Sequence, residues 1–281
     1  MVSFGIIGSG FGLYGYLPAI LSTNNRQVYI LKRYKEILKN RKELNFYESK
    51  VGYLENEQEI LKNSDIIILA RRPIDNEKLF FQIENKKVII EKPIAKSPHE
   101  AFSILLHGNS NNIKIYSGFL FEYQNWYEKL TNITNGTVNI RWGIKKVNAP
   151  DSWKYAPKNG GGLIAFYAIH LINLATQNDF QLNNSELLNL NNLSLNFSKK
   201  EVNLKCNLYF SNSPIFSICL DDKHIILQRG SPFGERSNNN ERDFRVNSLE
   251  QLIKNVVTKE PFQKIYETIE LWDEVERNIL K

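Results

Sequence analysis

The sequence predicts an α/β protein in two parts: an N-terminal doubly wound parallel sheet over residues 1–120, and a C-terminal α+β part with a largely antiparallel open sheet over residues 121–281. Three features predict it. Apolar strands without polar alternation fill the first part, a glycine-rich turn follows the first of them directly, and strict period-two alternation marks the second part.

In the first part, residues 2–7, 28–31, 66–70, 88–90 and 113–119 are short runs rich in Ile and Val. Helical patterns fall between them at residues 13–21, 34–44, 57–62, 76–83 and 98–106. Strands apolar on both faces need cover on both faces, and parallel neighbours need a crossover helix, so this alternation specifies a parallel sheet between helical layers. After residue 120 the pattern changes. Val138, Ile140, Trp142 and Ile144 alternate with Asn139, Arg141 and Gly143, and Val202, Leu204, Cys206, Leu208 and Phe210 alternate with Asn203, Lys205, Asn207 and Tyr209. Residues 216–220 and 225–227 continue the pattern, which gives each strand one buried and one polar face. Helices over residues 162–175, 249–257 and 262–280 are expected to cover the apolar face of this sheet. There is no internal repeat and no linker long enough to separate mobile domains.

A chain of 281 residues, 42% hydrophobic and 23% charged, can bury one large or two modest cores, which excludes disordered and fibrous classes. The longest apolar runs fall far short of the ~20 residues of a membrane span, and no basic-then-apolar leader precedes them, so a soluble cytoplasmic protein is expected. Cys206 and Cys219 are too few for a disulfide framework or a metal site, and are expected to be structural thiols with no metal bound. The net charge of +6 suits an anionic ligand. Its one basic cluster, Arg26, Lys32, Arg33, Lys35, Lys39, Arg41 and Lys42, comes with no nucleic-acid motif, so no nucleic-acid partner is expected.

The first strand runs into Gly8-Ser9-Gly10-Phe11-Gly12 and then an amphipathic helix. Glycines there let the chain turn tightly and let a pyrophosphate approach main-chain N–H groups at the helix start, the dinucleotide-binding (Rossmann) arrangement. A strict G-x-G-x-x-G would place its third glycine at Leu13; here it falls at Gly12. NAD-preferring folds end their second strand in Asp or Glu, which binds the ribose hydroxyls, whereas this chain has Lys32-Arg33 about twenty residues past the loop. Two cations attract a 2′-phosphate, so NADP(H) is favoured over NAD(H), the alternative being a solvated basic helix start.

A further buried strand ends Val88-Ile89-Ile90-Glu91-Lys92-Pro93 and delivers Lys92 to the carboxyl edge of the sheet, where such folds bind ligands. Together with the preceding elements this segment resembles the glucose–fructose oxidoreductase, inositol dehydrogenase and rhizopine catabolism (Gfo/Idh/MocA) family of nicotinamide-dependent oxidoreductases. The resemblance implies that Glu91, Lys92 and Pro93 contact the nicotinamide ribose and the reacting carbon, with a cis bond common before the proline. Leu17-Pro18-Ala19-Ile20 looks like the family's first helix. Ala70-Arg71-Arg72-Pro73 looks like its A-T-P-P loop, with Asn76 where a His is usual, and this stretch is implied to touch the cofactor. Trp153, Gly160-Gly161-Gly162 and His170 look like its second-domain signature, G-G-G-x-L-x-D-x-G-x-H. The likeness spans residues 2 to about 175 and departs from the family where Phe166 replaces the signature Asp, Ala168 a small residue and Asn173 a further Asp.

The resemblance implies an oxidoreductase of a sugar or nucleotide-sugar hydroxyl or keto group, in reach of surface-polysaccharide synthesis. Lys92 would polarise the oxygen while His170 exchanges the proton, and Tyr167 offers a phenol as a second acid. Glu122, Trp153, Lys154 and Tyr155 are candidates to line the substrate side, with Arg71, Arg72 and Lys154 for a diphosphate. A homodimer or homotetramer formed through the open sheet is implied too. Two alternatives stand beside this: a dinucleotide-binding sensor or partner with lost catalysis, and a redox-neutral elimination or glycoside cleavage that uses the nicotinamide transiently.

Overall fold

The structure, a computed structural model, describes residues 1–145, 152–189, 191–234 and 242–280, with backbone alone at residues 228 and 229. Six strands form the first sheet: β1 Val2–Ile7, β2 Arg26–Leu31, β3 Gly52–Leu54, β4 Ile66–Leu69, β5 Lys87–Ile90 and β6 Lys114–Ser117. Their order is β3-β2-β1-β4-β5-β6 and every pairing is parallel. The order reverses between β1 and β4, which opens a crevice beyond the strands' carboxyl ends. Helices α1 Leu17–Leu21, α2 Lys35–Asn40, α3 Glu57–Asn63, α4 Pro73–Phe80 and α5 Pro98–Ser110 follow successive strands, and a π-helical turn, Gly12–Tyr16, leads into α1. The inner strand β4 is apolar throughout because both its faces are covered; Ile66 to Leu69 are all buried.

After α6 Tyr127–Thr131, the second sheet holds β7 Gly136–Lys145, β8 Gln181–Asn189, β9 Asn192–Lys199, β10 Val202–Ser211, β11 Ile215–Leu220 and β12 Lys223–Arg229. It runs β12-β11-β7-β10-β9-β8, with β7 and β10 parallel and all other neighbours antiparallel. Along β10 the inward residues Val202, Leu204, Cys206 and Leu208 are buried, while Asn203 and Lys205 are exposed. A π-helical turn, Leu163–Ala168, feeds α7 Ile169–Gln177, and α9 Ile265–Ile279 packs against α7 and β8. No helix among the described residues is long and apolar enough to cross a membrane.

By compactness the chain falls into two units. The first takes Met1–Ala95, Ser103–Gly118 and the segment that ends at Gln263, which carries α8 Val246–Thr258. Helix α8 therefore does not cover the second sheet, as its sequence position suggested, but packs against α1. Its apolar stripe of Val246, Leu249, Leu252, Ile253 and Val256 demands burial without naming the surface that provides it. Polar anchors fix the choice. Lys87 Nζ donates to the Val256 carbonyl at 2.7 Å, the Tyr116 hydroxyl donates to the Lys259 carbonyl at 3.0 Å, and Gln263 bonds the Ser117 backbone through both ends of its amide, at 2.7 and 3.0 Å. The sequence expectations also lacked β3, β8 and β9.

Candidate functional site

Each loop glycine has a different reason. A Cβ on Gly8 would strike the Ala70 carbonyl oxygen, and one on Gly12 would stand 2.9 Å from Ile6 Cγ2, so Gly8 serves the close approach of the loop to the end of β4 and Gly12 that of the first helical turn to β1. Gly10 has no such reason: a Cβ there would have nothing within 4 Å, and its backbone is not left-handed. The loop thus presents a bare main-chain face just before the helical turn at Gly12, which fits a phosphate group resting on backbone N–H donors. Ser9 and Gly10 line one side of a cavity of about 520 Å³ completed by Glu36, Ile37, Asn40 and Arg41.

At the end of β5 the Lys92–Pro93 bond is cis. Lys92 is partly buried, and Glu91 beside it accepts a 2.6 Å hydrogen bond from the Tyr16 hydroxyl. Gly118 makes room for that carboxylate, since a Cβ there would collide with Glu91 Oε1. Burial raises the Glu91 carboxyl above its ordinary range, while the Tyr16 hydrogen bond and the charges of Lys92 and Arg245 pull it back. Burial, with Glu91 next to it, also pushes the Tyr16 phenol well up. Arg245 was invisible to sequence reasoning. Its guanidinium lies 4.0 Å from the Phe11 ring centroid and is gripped by Asp243 through two hydrogen bonds of 2.9 and 3.0 Å, so a residue far along the chain clamps the glycine loop.

The cations past β2 and β4 all have acidic neighbours. Lys32 pairs with Glu55, Arg33 with Glu57 at 3.1 Å, Arg71 with the same Glu57 at 2.7 Å, and Arg72 with Asp75 at 2.7 Å. Lys32 is held above its ordinary value by the Glu55 hydrogen bond and charge. Asn76 is buried; its carbonyl accepts the Arg71 backbone N–H at 3.1 Å and its amide donates to the Leu69 carbonyl at 3.2 Å. It pins the strand end in the loop where Ala70 and Pro73 sit.

In the second unit His170 is 2% exposed, inside a box of rings. Phe121 stacks on it at 4.9 Å and 18°, Phe233 meets it edge-on at 5.2 Å, and Phe119 and Trp142 lie at 6.2 and 6.3 Å. Phe121 thus covers one face of the imidazole, and the other three rings stand tilted or edge-on around it, so any proton it handles must pass between rings to a nitrogen at the ring edge. Glu122 follows Phe121 in the same short turn. The triplet Gly160-Gly161-Gly162 holds the next feature: a Cβ on Gly161 would overlap the backbone of Trp153 and Lys154, which brings Trp153 edge-on to Phe166 at 5.3 Å and Lys154 Nζ to 5.5 Å above the same ring. Phe166 packs in turn on Tyr167 at 4.9 Å, and Tyr167 on Phe210 at 6.0 Å. Burial, then the neighbouring Tyr155 phenol, pushes Tyr167 up, so its proton is firmly held. Asn173 donates to Thr268 Oγ1 at 3.1 Å in the core.

Within the first unit, then, the structure gathers the loop glycines with Ala70, Phe11 with Tyr16 and Glu91, and Lys32, Arg33 and Arg71 with two glutamates. Within the second it gathers Trp153, Lys154, Phe166 and Tyr167, and separately His170 beside the turn of Glu122. Sequence reasoning missed Glu36, Glu57, Tyr16 and Arg245; Tyr16 and Glu36 are polar residues close to a motif, whereas Glu57 and Arg245 carried no local signal.

No protein-family model matches the chain, and no curated protein matches it in sequence. Solved structures do match it in shape. KijD10, a 3-ketoreductase from Actinomadura kijaniata in complex with NADP and TDP-benzene, superposes with a TM-score of 0.69 at 13% identity, over 98% of this chain and 96% of that one. The WlbA (WbpB) dehydrogenase from Thermus thermophilus, in complex with NAD and UDP-GlcNAcA, gives 0.71 at 12% identity over 97% and 94%. A probable dehydrogenase from Thermotoga maritima gives 0.69 at 14% identity over 98% and 97%. Likeness at such identities establishes the shared fold.

Proposed function

We propose that this chain is a nicotinamide-dependent oxidoreductase of the Gfo/Idh/MocA type that acts on a sugar or nucleotide-sugar hydroxyl or keto group, with NADP(H) or NAD(H) as cofactor. The observation that carries the proposal is the bare backbone face at Gly10, at the reversal point of a parallel sheet, with Lys92 delivered to the same carboxyl edge by β5. KijD10 with NADP and WlbA with NAD and UDP-GlcNAcA support it as folds of the same kind. The residues up to about 120, completed by α8, would form the cofactor-binding domain and the rest of the chain the substrate domain. A bound nicotinamide would supply or take the hydride. Lys92 would orient and polarise the substrate oxygen, Glu91 would set the field around that ammonium, and His170 would exchange the hydroxyl proton through its ring edge. Trp153, Lys154 and Tyr167 would offer a polyhydroxylated substrate an aromatic wall and a cation. A role in surface-polysaccharide synthesis is the biosynthetic setting that suits such a substrate.

The test is a paired titration of the protein with NADPH and NADH by nicotinamide fluorescence, with Gly10→Val alongside. The variant is expected to fold normally and to bind at least about tenfold more weakly, a gap of about 1.4 kcal/mol. Equal binding by variant and wild type would sink the cradle.

A second reading is favoured by Phe166 and Asn173, both absorbed into packing where the family carries acids. In that case the chain binds the dinucleotide as a sensor or partner. Tight nucleotide binding with no turnover over a panel of hydroxy- and keto-sugars would select it.

A further inference from the structure

The cations at the carboxyl edge of the first sheet meet an anion that belongs to the chain itself. Arg33 Nη2 and Arg71 Nη1 both bond a single oxygen, Glu57 Oε1, at 3.1 and 2.7 Å. Arg71 is fixed further, its Nη2 donating to the Asp75 carbonyl at 2.8 Å and its backbone N–H to Asn76 at 3.1 Å. Arg33 lies just past β2, Arg71 just past β4, and Glu57 opens α3 after the Asn56 cap, so three separate crossovers supply one triad. The side chains of Glu57 and Arg71 are only 27% and 22% exposed, against 62% and 64% for the Lys32–Glu55 pair, so solvent screens the Glu57–Arg71 bond less, while Arg33, at 63%, reaches Glu57 from the solvent side.

We infer that Glu57 sets the preference between NADP(H) and NAD(H): it holds, between Arg33 and Arg71, the donors that a 2′-phosphate needs. The inference rests on the dinucleotide reading above. A carboxylate and a phosphate recruit the same guanidinium N–H groups. A phosphate brought to Arg33 and Arg71 must displace or share with Glu57 and meets its like charge, whereas the neutral 2′-hydroxyl of NAD(H) does not. The number of cations near the second strand therefore overstates the advantage of NADP(H), and Glu57 is the residue that reduces it.

The test measures dissociation constants of NADPH and NADH, and of adenosine 2′,5′-bisphosphate against 5′-AMP, for wild type and Glu57→Gln at one salt concentration. The variant is expected to bind NADPH and the bisphosphate roughly five- to tenfold more tightly, with NADH and 5′-AMP within about twofold. Glu55→Gln, which alters only an exposed pair, should move the ratio less than about twofold. An unchanged ratio in Glu57→Gln, or weaker NADPH binding, overturns the inference. Should Glu57→Gln fail to fold by circular dichroism, Arg71→Gln replaces it: about tenfold weaker NADPH with NADH unaltered supports the clamp, and unaltered NADPH overturns it. Failure of the dinucleotide reading looks different, because wild type then binds neither nucleotide.

Discussion

The glycine loop and the His170 box are opposite solutions to placing a functional group. In the loop, side chains have been removed until backbone is exposed, and Gly10 has no packing reason to be a glycine. Around His170, side chains have been added until the imidazole is 2% exposed among four aromatic rings. A residue whose identity the fold does not need points outward to a ligand; a residue that the fold surrounds has to satisfy packing first and chemistry second. The first unit therefore carries a group freed for binding, and the second a group held by packing.

Four experiments break or sharpen that contrast. The largest effect belongs to the box. Phe121→Ala removes a fully buried ring stacked on His170 and should cost about 3–5 kcal/mol, seen in denaturant unfolding; a loss below about 1 kcal/mol would mean that the box is not packed as described. Lys92→Ala should lower kcat by roughly 10²–10³-fold on a substrate that wild type turns over, with unfolding stability little changed. His170→Ala completes that measurement: a fall in melting temperature with kcat kept within a few-fold would assign the imidazole to packing. Third, Gly8→Ala should cost about 1–3 kcal/mol because its methyl meets the Ala70 carbonyl, while Gly10→Ala should leave stability unchanged. Equal losses at the two positions would erase the distinction between a glycine kept for packing and one kept for a ligand.

The smallest effect is on pH. Glu91 has a folded-state value raised above its ordinary 4.5, chiefly by burial. Such a group favours folding while protonated, so its contribution is complete below the ordinary value and is lost as pH rises through the raised one. Wild type should therefore lose stability from about pH 4.5 upward relative to Glu91→Gln. Melting curves of the two proteins that stay parallel from pH 4 to 7 would contradict this.

Much of this was legible in the sequence, and what was not has physical causes. The parallel sheet announced itself because strands covered on both faces are continuously apolar, as at Ile66 to Leu69. Strand β3 is three residues long with no buried position, and β8 buries only Ser185, so neither carries a hydrophobic period. Strand β9 does carry one, with Leu193, Leu195 and Phe197 buried, diluted by asparagine and serine. Within the site, the loop and the Glu91-Lys92-Pro93 turn are contiguous and so readable. Lys32 and Arg33 were read without the anions that meet them, because Glu55 and Glu57 stand more than twenty residues away and only the fold brings them near. Arg245 on Phe11 is the extreme case of a contact made by topology alone.

The return of α8 to the first unit also has a consequence for how the protein is made. The glycine loop and all six parallel strands have been synthesised by residue 117, yet the helix that covers α1, the carbonyl that anchors Lys87 and the amide that seals Ser117 come only after the whole second sheet has been translated. A ribosome moving at roughly 5–20 residues per second leaves the nascent first unit with one side uncovered for roughly 7–30 seconds. During that interval the strands of the second sheet, β7 to β12, all become available to pair with one another. The unit that starts first is thus closed only after the whole second sheet has been made, and a fragment ending near Gly118 should expose the apolar surface that α8 normally covers.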